Sequence, residues 1–210
     1  MISLSLLLII AFILPLLLII KYNNISNYKV IILGFLTFFI PQTIFRIPII
    51  NYIYYSHFSI TQTLIFKILL PLSAGIVEVS ADYIALKFFL DELKKEDAII
   101  LGVAHALCEN IILILIPILS NIYFLNSLNI SYIASFERLF VLILHVSCAL
   151  FSYYSIKKEK ILFLVYAILI HGFADMPILF SNNIFIVELI LFLISIFSFI
   201  IIIFLIKNDQ

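Results

Sequence analysis

The chain has 210 residues, of which 65% are hydrophobic and 11% are charged, and its mean hydropathy is +1.29. About a quarter of the residues of a soluble protein are charged, so this composition excludes a soluble globular protein and indicates a polytopic membrane protein. The formal net charge is zero and the basic residues form no patch, which argues against nucleic-acid binding.

Seven apolar stretches are long enough to cross about 30 Å of hydrocarbon as helices at 1.5 Å per residue. Only short turns are left between them, and a helix is the form in which such a stretch satisfies its backbone in lipid. The sequence therefore predicts an all-α, polytopic bundle of about seven transmembrane helices, forming a single integral membrane domain, residues 1–210. The predicted spans are 2–20, 29–50, 62–90, 98–119, 137–156, 161–181 and 184–206.

The first stretch has neither a basic leading segment nor a small-residue cleavage site, so we expect it to remain as a permanent helix. Lysines lie in the first, third and fifth turns and after the last stretch, whereas the second, fourth and sixth turns contain none. The positive-inside rule then predicts that the N-terminus is outside and the C-terminus is cytoplasmic, in the cell (plasma) membrane.

Two polar side chains interrupt the second stretch, where Gln42 and Arg46 lie one turn apart between Pro41 and Pro48. A long basic side chain near the end of a span usually extends to the interface, so we expect Arg46 there. The alternative is that Arg46 turns inward and pairs with a buried carboxylate. We interpret the first stretch, and the seventh with its single acid Glu188 near the outer end, as scaffold.

Ionisable residues in the middle of a span are usually functional, because they face the bundle interior or a wet cavity. The third stretch carries two such acids, Glu78 and Asp82, four residues apart. Two acids on one helical face are expected to share a proton unless a basic residue such as Arg46 approaches them. Glu137 and Arg138, at the start of the fifth stretch, are interpreted as interfacial.

Further histidines and acids lie on the next three stretches. On the fourth, His105 and Glu109 are four residues apart, a spacing that directs both side chains into the same space. Counted from the predicted cytoplasmic ends, the groups lie about 11 to 21 Å deep, so we expect them to line one cavity. The candidate catalytic residues are Glu78, His105, Glu109, His145, His171 and Asp175.

Two kinds of chemistry suit these residue types. A buried carboxylate beside imidazoles can activate water as a general base while a second group donates to the oxyanion, which favours hydrolysis. The histidines could instead bind a divalent metal such as zinc and leave a position for water, the candidate ligands being His105, His145 and His171. Cys108 and Cys148 each follow a histidine by three residues, but we interpret them as packing residues.

The order of these motifs resembles the YhfC family of intramembrane metalloproteases, which are related to the CAAX protease and bacteriocin-processing family. The resemblance covers the second to sixth stretches. It rests on Phe39 to Gln42 with Arg46 to Pro48, Gly75 to Tyr83, Gly102 to Glu109, Glu137 with His145, and His171 to Asp175.

The resemblance implies a protease that cleaves a membrane-embedded or membrane-proximal peptide in the lipid bilayer. It implies that Glu78 activates water, that His105 and His171 hold the water or the oxyanion, and that Asp175 orients its neighbour.

Two positions depart from the family pattern. Val79 stands where a second glutamate is usual, and Asp82 where an arginine is usual. These departures leave open a catalytically degenerate protein of the immunity type. A membrane transport or substrate-binding component is another alternative, because buried acids and histidines also bind cations, although the sequence has no inverted repeats of the transporter kind.

Overall fold

The computed structural model describes residues 2–22, 28–120 and 132–209, and it consists there of helices joined by turns. The predicted all-α bundle is confirmed, and the chain is an integral membrane protein. Residues 23–27 and 121–131, which form most of the first and fourth predicted connections, lie outside the described residues. In the described part, seven helices are long and apolar enough to cross a membrane: α1 (Ile2–Tyr22), α2 (Tyr28–Ser56), α3 (Leu64–Phe88), α4 (Lys95–Ser120), α5 (Tyr132–Lys157), α6 (Ile161–Leu179) and α7 (Ile184–Lys207).

α2 contains a π-helical segment, Phe39–Arg46, in which backbone hydrogen bonds reach one residue further than in an α-helix. Pro41 has no N–H to donate to the carbonyl four residues back, so the regular α-helical ladder cannot continue there. The wider turn lets α2 pass both Pro41 and Pro48 and continue to Ser56, beyond the predicted end at residue 50.

α4 and α5 form the centre of the bundle. Their most apolar windows are 56% and 67% buried, compared with 22% to 28% for the other five spans. α5 packs against α1, α3, α4, α6 and α7, and α4 packs also against α1 and α2. Both begin earlier than predicted, α4 because Asp97 Oδ2 accepts a hydrogen bond of 2.9 Å from the Lys94 N–H and caps the helix start.

All four glycines of the chain lie where two helices cross. Gly34 brings α2 against α4, and Gly102 brings α4 against α5. Gly75 and Gly172 bring α3 and α6 together so closely that a Cβ at Gly75 would lie 2.3 Å from the carbonyl oxygen of Ile168. Small residues permit such contacts, on which membrane helices depend because lipid gives them no hydrophobic force to associate.

Candidate active site

Glu78 on α3 lies at the centre of the site, and its side chain is 4% exposed. Its Oε2 is 3.1 Å from Nε2 of His105 on α4 and 3.1 Å from Nε2 of His171 on α6. Its Oε1 accepts a hydrogen bond from Nε2 of Gln42 on α2. Side chains from three other helices therefore meet at this one carboxylate.

Arg46 turns into the bundle, so the expectation that it reaches the outer interface is wrong. The guanidinium donates hydrogen bonds to Ser73 Oγ at 3.0 Å, to the Leu70 carbonyl at 2.7 Å and to Gln42 Oε1 at 3.0 Å. Because Arg46 holds the oxygen of the Gln42 amide, the amide N–H₂ group is left to face Glu78. Arg46 thus supports the buried carboxylate through Gln42 rather than by a direct ion pair.

His105 is fully buried and bridges the two acids of α3. Its Nδ1 lies 3.0 Å from Asp82 Oδ1 and 3.0 Å from Thr37 Oγ1, while its Nε2 faces Glu78. The Thr37 hydroxyl donates to the Gly34 carbonyl at 2.9 Å, so its oxygen can only accept, and Nδ1 of His105 carries the proton. Glu78 and Asp82, expected to act directly on each other, are therefore separated by an imidazole.

His105 and Glu109 have different partners, although their spacing predicts a shared space. Glu109 Oε2 is 2.8 Å from His145 Nε2 on α5, and its Oε1 accepts a hydrogen bond of 3.0 Å from Arg138 Nη1. Side chains four residues apart on a helix point in directions that differ by about 40°. Because α4 is packed on several sides, this difference directs His105 to α3 and Glu109 to α5. Arg138 also pairs with Glu137 inside the bundle, so its interpretation as interfacial is wrong.

The three histidines contact one another in series. The rings of His105 and His145 stack with centroids 4.4 Å apart, and those of His145 and His171 meet at an angle, 5.2 Å apart. His171 Nδ1 lies 3.4 Å from Asp175 Oδ2, an ion-pair contact without the alignment of a hydrogen bond. Both His145 and His171 therefore have a carboxylate beside one ring nitrogen.

A cavity of about 350 Å³ opens beside this cluster. His105 does not line it, contrary to the expectation of six lining residues, because its contacts with Glu78 and Asp82 hold it behind the cavity wall. The candidate residues that do line it are Glu78, Glu109, His145, His171 and Asp175.

Four charged residues outside the set of candidate catalytic residues line the same cavity. Arg46 and Arg138 were expected at the interface, because each lies near the end of a predicted span. The sequence interpretation of Glu188 as part of the scaffold overlooks that an acid in an otherwise apolar span is itself a functional indication. The four residues are Arg46, Glu137, Arg138 and Glu188.

One group of histidine and acid side chains in the described part of the chain is arranged to hold a metal ion, namely Glu78, His145 and His171. All three are buried, and one donor atom from each lies within 4.8 Å of the others. Two histidines and one glutamate form the donor set of catalytic zinc sites that keep a position for water.

The surroundings of this group also fit a divalent metal. Ligand histidines usually place their second ring nitrogen beside a carboxylate, as Glu109 does for His145 and Asp175 for His171. His105, expected as a ligand, is not in the group, because its two ring nitrogens face Asp82 and Glu78.

These observations define the class of protein: a helical integral membrane protein with a histidine and carboxylate centre inside its bundle. A sequence model described as YhfC intramembrane metalloprotease matches residues 5–134 and 126–197. The chain therefore belongs to the YhfC intramembrane metalloprotease family, and the resemblance seen in its motifs is confirmed. No curated protein and no solved structure matches the chain.

Proposed function

We propose that the protein is an intramembrane protease that hydrolyses a peptide bond in or near the membrane, acting as a single membrane domain, residues 1–210. The observation that carries the proposal is the Glu78 carboxylate, which lines a cavity inside the bundle and is held by groups from three other helices. Such a carboxylate can accept a proton from water. Membership of the family supports the same reaction.

The two oxygens of Glu78 have different roles in this proposal. Oε2 already has two imidazole nitrogens at 3.1 Å, whereas Oε1 accepts one hydrogen bond, from Gln42, so Oε1 is the atom with room to take a proton from the attacking water. The oxygen of that water bonds to the substrate carbonyl carbon, the C–N bond breaks, and the proton is returned to the amine nitrogen. His171, whose Nε2 lies 3.1 Å from Oε2 in the cavity wall, donates to the developing oxyanion.

The neighbouring residues position this machinery. Asp82 accepts a hydrogen bond from the Nδ1–H of His105, and the imidazole, charged between the two acids, donates its Nε2–H to Glu78. Asp175 acts on His171 from the cavity side through an ion-pair contact of 3.4 Å with Nδ1, without a hydrogen bond. A carboxylate fixed from both sides needs little reorganisation when charge develops in the transition state.

Glu78, His145 and His171 would also hold a divalent metal of the zinc type, and Glu109 and Asp175 would then orient the two histidines. Such an ion, when bound, activates water and polarises the substrate carbonyl. The Glu78 carboxylate is required with or without it.

Cleavage of a membrane reporter by purified protein in proteoliposomes tests the proposal. Glu78→Gln keeps the size of the side chain and removes the proton acceptor, so we expect a fall in kcat of about 100-fold or more. Glu96→Gln, the same change at an exposed residue at the start of α4, is the matched control and should leave cleavage unchanged. Equal cleavage by wild type and Glu78→Gln, with both proteins folded, would refute the proposal.

A further inference from the structure

Glu188 is the one acid in the wall of the cavity that forms no ion pair with a described residue. Its Oε2 is buried and has no hydrogen-bond partner among the described residues. The nearby cation is already engaged, since Arg138 bonds Glu109 and Asn110 through Nη1 and Glu137 through Nη2. A carboxylate in low dielectric without a counter-charge is unfavourable, so the site is suited to receive a cation from outside the chain.

The other acids of the cavity are all matched. Glu78 is held by Gln42 and two histidines, and Asp175 lies against His171. Glu109 and Glu137 are held by Arg138, with His145 also on Glu109. Among the described acids of the cavity, Glu188 is therefore the one without an ion-pair partner, and it lies at the side of the cavity formed by α7.

An apolar groove lies between α5 and α7 on the other side of Glu188. Its volume is about 320 Å³, and Glu188 lines both the groove and the cavity, so this residue lies between the two. Along α7 the groove covers about two helical turns, as its residues run from Phe185 to Phe192. The apolar lining residues are Ile133, Phe136, Phe140, Phe185, Leu189 and Phe192.

We propose that the groove and Glu188 form a substrate-binding site for an apolar membrane segment that carries a lysine or arginine at its end. The apolar part of the segment lies in the groove, and its basic side chain pairs with the Glu188 carboxylate. A lipid acyl chain would fill the groove but leave Glu188 unmatched, which is why we assign a cationic peptide. The proposal rests on the proposed proteolysis and defines its substrate class.

Three reporters test the selectivity. They share one apolar segment and differ only in the residue that follows it, which is lysine, glutamine or glutamate; the ratio below compares lysine with glutamine. We expect wild-type protein to cleave the lysine reporter with a kcat/KM about tenfold higher, as for one desolvated ion pair of modest strength. Glu188→Gln should bring the ratio of the two values to about one, and Glu188→Lys should make a glutamate reporter the preferred substrate. An unchanged ratio in both variants, with thermal unfolding as in wild type, would overturn the proposal.

Cross-linking measures binding without cleavage. Leu189→Cys places a thiol in the groove, and Leu69→Cys is the matched control. Each leucine lies five residues after the first residue of its helix, Leu189 in α7 and Leu69 in α3. The two side chains are 55% and 57% exposed, respectively. The native thiols of Cys108 and Cys148 are buried. The His171→Ala background prevents cleavage, and each reporter carries a single cysteine. The lysine reporter should cross-link to position 189 more than the glutamine reporter does. At position 69 both reporters should cross-link weakly and to the same extent.

The combined outcomes separate this inference from the proposed function. Charge-dependent cross-linking at 189 without cleavage of any reporter would support the binding site and refute proteolysis. Cleavage with cross-linking at 189 that ignores the reporter charge would refute the binding site alone, and the groove would then be an ordinary lipid-facing surface.

Discussion

Replacing Gly75 by alanine tests whether the close packing of α3 on α6 sets the geometry of the site. The added Cβ would lie 2.3 Å from the carbonyl oxygen of Ile168 and 3.0 Å from the N of Gly172, whereas ordinary contact begins at 3.4 Å. Both obstacles are backbone atoms, which cannot rotate away as a side chain can. α3 and α6 must therefore separate by about 1 Å at this level.

That separation acts directly on the candidate catalytic pair. Glu78 follows Gly75 by three residues and His171 follows Ile168 by three, so their present contact of 3.1 Å between Oε2 and Nε2 would lengthen to about 4 Å. A displacement of about 1 Å at a reacting centre lowers kcat about 100-fold. Overpacking of a helix contact should also lower the free energy of unfolding by about 1–3 kcal/mol.

Reporter cleavage in proteoliposomes gives kcat, and thermal unfolding in detergent gives the change in stability. Ile76→Ala, at the next residue but on the lipid-facing side, is the control and should retain wild-type kcat. Wild-type kcat and thermal stability in Gly75→Ala would show that the crossing of α3 and α6 does not set the site geometry.

Two further predictions concern the groups around Glu78. Asp82→Asn should lower kcat about 10–100-fold with little change in KM, because the neutral amide no longer stabilises the charged His105 imidazole that donates to Glu78. An unchanged kcat would remove Asp82 from the positioning role. Protein purified from metal-supplemented cultures should retain about one equivalent of a divalent metal, and His145→Ala should lose it. A wild-type metal content near zero by elemental analysis would rule out the metal site.

The fold was predictable from the sequence because apolar length alone defines a membrane helix, and seven such stretches leave little choice of architecture. The depth argument selected His105 and His171, which meet at Glu78, but it did not select Gln42, Arg46 or Arg138. The direction of each side chain was not predictable, because it depends on how each helix is rotated by its neighbours. His105 and Glu109 share a face by spacing, yet they contact α3 and α5 respectively.

Arg46 and Glu188 illustrate two further limits. The sequence places Arg46 near the end of a span, but the π-helical segment around Pro41 directs it inward, and such a segment has no pattern in the sequence beyond the proline. Glu188 lies on a helix of almost uniform apolarity, so its position against the cavity depends on how α7 packs on α5. Both residues are placed by tertiary packing, which local sequence rules do not describe.

The bridge from α3 to His105 has a consequence for how the chain is made. During synthesis α3 reaches the translocon before α4, and a charged carboxylate at the middle of an inserted helix costs about 2.5–3.5 kcal/mol. Glu78 and Asp82 both have this cost until His105 on α4 has been synthesised. Before that point, the site partners available from α2 are Gln42 and Arg46. The connection between α3 and α4 spans only residues 89–94. The two helices are therefore expected to leave the translocon as a hairpin, with His105 already bound between the two acids before either meets lipid.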